Sequence, residues 1–203
     1  MAKNIDRREF VKVTGAAAAT GLLAASFPIT AKPLARKRFA IIGTGHRATG
    51  MWGKDVAERY SNEVEFVGLC DKNPLRVEAG RKLIGVDCPT FTNFDEMIDK
   101  THPELVMVTT MDSTHHIFIK RALEKGVNVI TEKPLVTKAA DCQAVLDAEK
   151  KHGRNIIVTF NYRYAPKHEK IKKIISSGEI GKVTSVDFSW YLDTSHGADY
   201  FRR

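Results

Sequence analysis

Arg38-Phe39-Ala40-Ile41-Ile42-Gly43-Thr44-Gly45-His46-Arg47-Ala48 decides the fold. A short apolar run stops abruptly at a glycine, and Gly43-x-Gly45-x-x-Ala48 then opens a helix. The first glycine permits a tight turn, the second lets backbone approach a pyrophosphate, and the small Ala48 lets helix and strand pack closely. The helix start supplies N–H groups and the positive end of a dipole, so Gly43, Thr44, Gly45, His46 and Arg47 are candidate phosphate contacts. Taken alone the turn is a weak signal, since methyltransferases use similar ones.

Comparable apolar runs recur at Val64–Cys70, Leu105–Thr109, Val127–Thr131 and Ile156–Phe160. Such runs fit parallel strands buried on both faces. Helical patterns separate them. Pro74 opens one helix and Asn93 caps another. Asp112-Ser113-Thr114 is expected to cap Ile117–Lys125, which ends at Gly126. Lys138–His152 ends at Gly153, with Lys150, Lys151 and His152 in the last turn, where the helix dipole favours cations. This alternation over residues 36–160 predicts an α/β fold, a doubly wound parallel sheet. From Asn161 the texture changes. A helix over Pro166–Ser177 ends at Gly178, and Val183–Trp190 then alternates apolar and polar residues, as a strand with one buried face does. Residues 161–203 are therefore expected to begin a second, antiparallel domain, and the chain reads as a fragment of a longer protein.

Asp71 ends the second strand, 28 residues after Gly43, where a carboxylate can meet the ribose hydroxyls of an adenine dinucleotide and repel a 2′-phosphate. NAD is expected rather than NADP, although Lys72 softens the preference; a helix cap before Asn73-Pro74 is the other role open to Asp71. Glu132-Lys133-Pro134 closes a later strand, at the carboxyl edge where open α/β sheets bind ligands. A lysine there can hydrogen-bond a substrate hydroxyl and exchange a proton with it; it can also be an exposed residue starting a loop. A cis Lys133–Pro134 bond is open to the chain. Thr110 and His115 follow the third main strand beside the same crevice and are candidates for ribose or nicotinamide contacts, with a capping-turn role also open to His115.

Charge and cysteines narrow the classes. The chain carries 32 basic and 24 acidic residues, a net charge of +8. Residues 1–35 hold five basic and two acidic groups, so without them the charge is +5. The one dense basic patch, Lys167, Lys170, Lys172 and Lys173, interleaves with Ile171, Ile174 and Ile175 at helical spacing, as the solvated face of a helix does. Nucleic-acid binding is not indicated. Cys70, Cys88 and Cys142 have no metal-like spacing and leave an odd thiol, so neither a metal site nor a disulfide is expected. Asp6-Arg7-Arg8-Glu9-Phe10-Val11-Lys12 precedes a 17-residue apolar stretch, Val13 to Ile29. That stretch is short for a membrane span and resembles a signal-peptide core. The paired arginines point to the twin-arginine export machinery, which carries folded proteins, and so to a periplasmic location.

Gly43–Ala48, Asp71, Thr110 with His115, Glu132-Lys133-Pro134 and Asn161-Tyr162-Arg163 together resemble the Gfo/Idh/MocA oxidoreductases, across residues 38–192. The resemblance implies a Rossmann domain followed by an α/β domain with a large, mostly antiparallel sheet. It implies bound NAD(P), hydride transfer to or from a sugar, polyol or related carbon, and a homo-oligomer at full length. By the same resemblance Lys133 acts at the substrate, while Glu132, Asn161 and Arg163 line the cofactor side of the domain junction. Met111 departs from the proline usual at its place, and the second catalytic motif of the family would lie beyond residue 203. Residues 190–203 look like an exported, Bacteroidetes-type branch, and His196, Asp199 and Tyr200 suit a sugar-facing loop; a subunit interface is equally open. Two other functions remain open: an NAD-recycling glycosidase working by transient oxidation and elimination, and a non-catalytic sugar- or nucleotide-binding protein.

Overall fold

The structure is a computed structural model that describes residues 35–191. The expected signal, residues 1–35, lies outside the described residues but for Ala35, and so do the candidates His196, Asp199 and Tyr200. Six strands form one all-parallel sheet: β1 (Lys37–Ile42), β2 (Val64–Cys70), β3 (Thr90–Phe91), β4 (Leu105–Val108), β5 (Asn128–Glu132) and β6 (Ile156–Thr159). Their order is β3-β2-β1-β4-β5-β6, that of a Rossmann fold, which reverses direction beside β1.

Alternation along each strand sorts the core into two layers. Ala40 and Ile42 of β1, with Val106 and Val108 of β4, face helices α3 (Phe94–Thr101), α4 (His115–Glu124) and α5 (Ala139–His152). Phe39, Ile41 and Met107 face the other way, onto α1 and α2 (Pro74–Ile84). Here α1 comprises a π-helical stretch Ala48–Lys54 continued by the α-helix Asp55–Arg59. Val64–Cys70 and Pro166–Ser177, the latter α6, have the boundaries read from sequence. Asn73 caps α2 and Asn93 caps α3 through their side chains.

Two local expectations are corrected. Asp112–Thr114 forms a 3-10 turn, and no side chain caps α4. The Thr114 hydroxyl bonds Met111 O and Thr110 Oγ1 instead. Val183–Trp190 forms no strand, because among the described residues no strand lies beside it to complete a ladder. The two-residue β3 was missed, being too short for periodicity to register. Among the described residues no helix is long and apolar enough to cross a membrane.

Candidate functional site

Register aligns the ends of the strands. Cys70, Ile42, Val108, Thr131 and Val158 lie in one row across β2, β1, β4, β5 and β6. The next residue along each chain is Asp71, Gly43, Thr109, Glu132 and Thr159, with Lys133 one step further out. Sequence-distant candidates thus share one edge of the sheet, its carboxyl edge, because all five strands run parallel.

Gly43 has φ +89°, and a Cβ there would lie 2.7 Å from Thr109 O. Its N–H donates to Cys70 O at 2.8 Å, and the Thr109 hydroxyl donates to Gly43 O at 2.6 Å. Gly43 is therefore fixed by the fold. Gly45 differs: a Cβ would meet nothing within 4 Å. The space beside it is open to a ligand, and no side chain caps the start of α1. An open cradle at an uncapped helix N-terminus suits a pyrophosphate, so these residues fit NAD. His46 is exposed at the same turn.

Asp71 is buried and serves the turn directly. Its Oδ2 accepts from the Thr44 N–H at 2.9 Å and the Thr44 hydroxyl at 3.2 Å, and its Oδ1 accepts from the Asn73 N–H at 3.0 Å. One lone pair of Oδ1 remains for a further donor. Gly80 of α2 supports Thr44 from beneath, for a Cβ there would lie 2.9 Å from Thr44 Cβ. Gly53 likewise lets α1 meet Ile84 of α2. Both roles were missed in the sequence, where an unexplained glycine inside a helix was the available signal.

Glu132 is also buried, and its carboxylate is held from three sides. Arg47 Nε donates to Oε1 at 2.7 Å, Trp52 Nε1 donates to the same oxygen at 2.8 Å, and the Lys133 N–H donates to Oε2 at 3.2 Å. Arg47 and Glu132, each expected at a cofactor, are thus bonded to one another. Lys133 is exposed at the crevice, and its bond to Pro134 is cis.

His115 is a correction. It is fully buried, with Nδ1 2.8 Å from Pro134 O and Nε2 3.2 Å from Thr110 O. Enclosed between two backbone carbonyls, one of which accepts its single N–H, the ring stands inside the fold beside the Lys133–Pro134 loop rather than out at a ribose. Thr110 Oγ1 accepts from Thr114. Asn161 and Arg163 stand exposed in a 3-10 turn just after β6, the Arg163 guanidinium 5.9 Å from the Phe160 ring centroid. Among the described residues no group of three or more His, Cys, Asp or Glu could hold a metal ion.

Residues 37–160 match the model of the GFO_IDH_MocA family, described as an oxidoreductase family with an NAD-binding Rossmann fold. The putative oxidoreductase YteT of Bacillus subtilis (strain 168) is 43% identical over 171 residues, covering 82% of this chain and 40% of YteT. An inositol 2-dehydrogenase of Salmonella typhimurium is 34% identical over 137 residues, 66% of this chain and 41% of the relative. Among solved structures, the WlbA dehydrogenase from Bordetella pertussis, in complex with NADH and UDP-GlcNAcA, superposes with a TM-score of 0.67 at 22% identity. That superposition covers 72% of this chain and 44% of WlbA and is a likeness of fold. The chain thus spans about two fifths of the length of the curated relatives it matches.

Proposed function

The chain belongs to the Gfo/Idh/MocA oxidoreductases, whose domain here is an NAD-binding Rossmann fold, and from that premise we propose that the whole protein oxidises or reduces a carbon of a sugar, inositol or related polyol. The observation that carries the reading is the shared edge of Gly43, Asp71, Glu132 and Lys133, with open space at Gly45. NAD, when bound, supplies hydride exchange. The chain supplies the rest. Gly45, His46 and Arg47 at the start of α1 receive the pyrophosphate, and the remaining lone pair of Asp71 takes a ribose hydroxyl, so that NAD is preferred over NADP. Asn161, Arg163 and Thr110 border the nicotinamide side. Lys133 Nζ holds the substrate hydroxyl and takes or returns its proton.

The paired Arg7-Arg8 and the apolar run behind them support export by the twin-arginine route to the periplasm, residues 161–203 support the start of a second domain, and the relatives support a carbohydrate substrate. Homo-oligomerisation at full length follows from the family resemblance alone. Export favours a second reading, an NAD-recycling glycosidase, because a compartment without a free nicotinamide pool suits a cofactor that is never released.

The test is absorbance at 340 nm with full-length protein, NAD and a panel of inositols, free hexoses and aryl glycosides, wild type beside Lys133→Ala. NADH formed in step with polyol oxidation, and lost in the variant, is the expected result. Aglycone release without net NADH would favour the glycosidase. Turnover unchanged by Lys133→Ala would remove the lysine from the chemistry and leave a binding protein as the better account.

A further inference from the structure

Nothing in the sequence singles out Trp52, yet its indole N–H reaches across 80 residues of sequence to Glu132 Oε1. Arg47 Nε meets the same oxygen. The two donors are five residues apart on α1. In an α-helix of 3.6 residues per turn, residues five apart point about 140° away from each other. A helix closed by i→i+5 bonds, with about 4.4 residues per turn, narrows that angle to about 50°. The stretch Ala48–Lys54 is π-helical, and the Asp55 N–H closes it on Gly50 O. The wider turn thus brings Arg47 and Trp52 onto one carboxylate.

That carboxylate is itself a lever. Glu132 is buried, at 7% exposure, so its oxygens depend on protein donors rather than water. With Oε1 held by two donors, Oε2 is fixed where it accepts the Lys133 N–H. His115 packs against the other flank, with Nδ1 2.8 Å from Pro134 O. We propose that Trp52 is a positioning residue: acting through Glu132, it sets the direction in which Lys133 leaves the sheet, and the π-helical turn exists to bring it there. This rests on the role proposed above for Lys133, and it adds a coupling, since the element that receives the cofactor also orients the lysine.

The test uses full-length protein carrying Trp52→Phe or Glu132→Gln, each beside wild type. Without cofactor, the rate at which trace acetic anhydride labels Lys133 is read by mass spectrometry against exposed Lys150. With cofactor, NAD affinity, kcat and KM are measured. Both variants change Lys133 labelling severalfold, and Trp52→Phe lowers kcat about tenfold or more while KM for NAD holds, the signature of a misplaced catalytic group rather than a lost binding contact. Unchanged Lys133 labelling in both variants would overturn the proposal. So would a change in Trp52→Phe alone, because the effect must pass through Glu132. If Trp52→Phe does not fold, Glu132→Gln decides by the same labelling. A wild-type protein that binds no NAD would sink the proposed function, while the cofactor-free comparison would still decide the clamp.

Discussion

Gly43 and Gly45 stand two residues apart and have opposite reasons to be glycine. At Gly43 a side chain meets both a left-handed backbone and the Thr109 carbonyl 2.7 Å away, so Gly43→Ala should cost about 2–4 kcal/mol in a urea melt. At Gly45 nothing occupies the side-chain direction. Gly45→Ala should stay within about 1 kcal/mol of wild type in the same melt and still weaken NAD binding about tenfold or more. A Gly45 variant that unfolds, or that binds NAD normally, would contradict this account of the cradle. The cysteines follow the same logic of surroundings. Burial, with Asp71 adding to it, pushes the Cys70 thiol up to about 12, and burial pushes Cys88 up to about 11. The thiolate is the reactive form, so in folded protein at neutral pH Ellman's reagent should react promptly with Cys142 alone. Prompt labelling of Cys70 or Cys88 would show that the core opens. The glycine turn and the place of Lys133 at the end of β5 were legible because each is a local feature of the chain. Trp52, and the inward bonds of Asp71 and His115, were not, because each depends on a partner far away in sequence.

At the scale of elements, the strands that surround β1 were readable as unbroken apolar runs, and capped or glycine-ended helices as punctuated periods. What escaped was either too short, as β3, or dependent on how tightly the helix winds, as the π-helical start of α1. The short strand is tied to α2 by one bond with a pH signature. The Thr90 hydroxyl donates to Glu78 Oε1 at 2.5 Å, and this bond, opposed by desolvation and helped by the hydrogen bond from Arg81, holds the Glu78 carboxyl below its ordinary value of 4.5. A lowered folded-state value means that the bond stabilises the fold above pH 4.5, and that this is lost as pH falls through the lowered value. Thr90→Val should therefore melt below wild type at pH 7, with the gap narrowing progressively once the pH drops under 4.5. A gap that is constant with pH would assign the loss to packing instead.

At the scale of the whole molecule, the family-matched region is a closed structural argument: one parallel sheet, two core layers, one functional edge. Beyond it the described chain is exposed. Val183, Val186, Phe188, Trp190 and Tyr191 all present apolar surface to solvent, as do Ile157 and Phe160 at the end of the matched region, more than a lone domain commonly tolerates. The 203-residue chain by itself should self-associate in light scattering, and a monodisperse monomer that melts cooperatively would refute that. The site itself is tested most directly by its cofactor. Full-length protein is purified and denatured, the small molecules released are identified by mass spectrometry, and calorimetry then measures binding of added NAD to the emptied wild type and to Gly45→Ala. The account predicts NAD or NADH among the released molecules or saturable, stoichiometric binding of added NAD, with affinity sharply reduced in Gly45→Ala. A wild-type protein that releases neither and binds neither NAD nor NADP would contradict it.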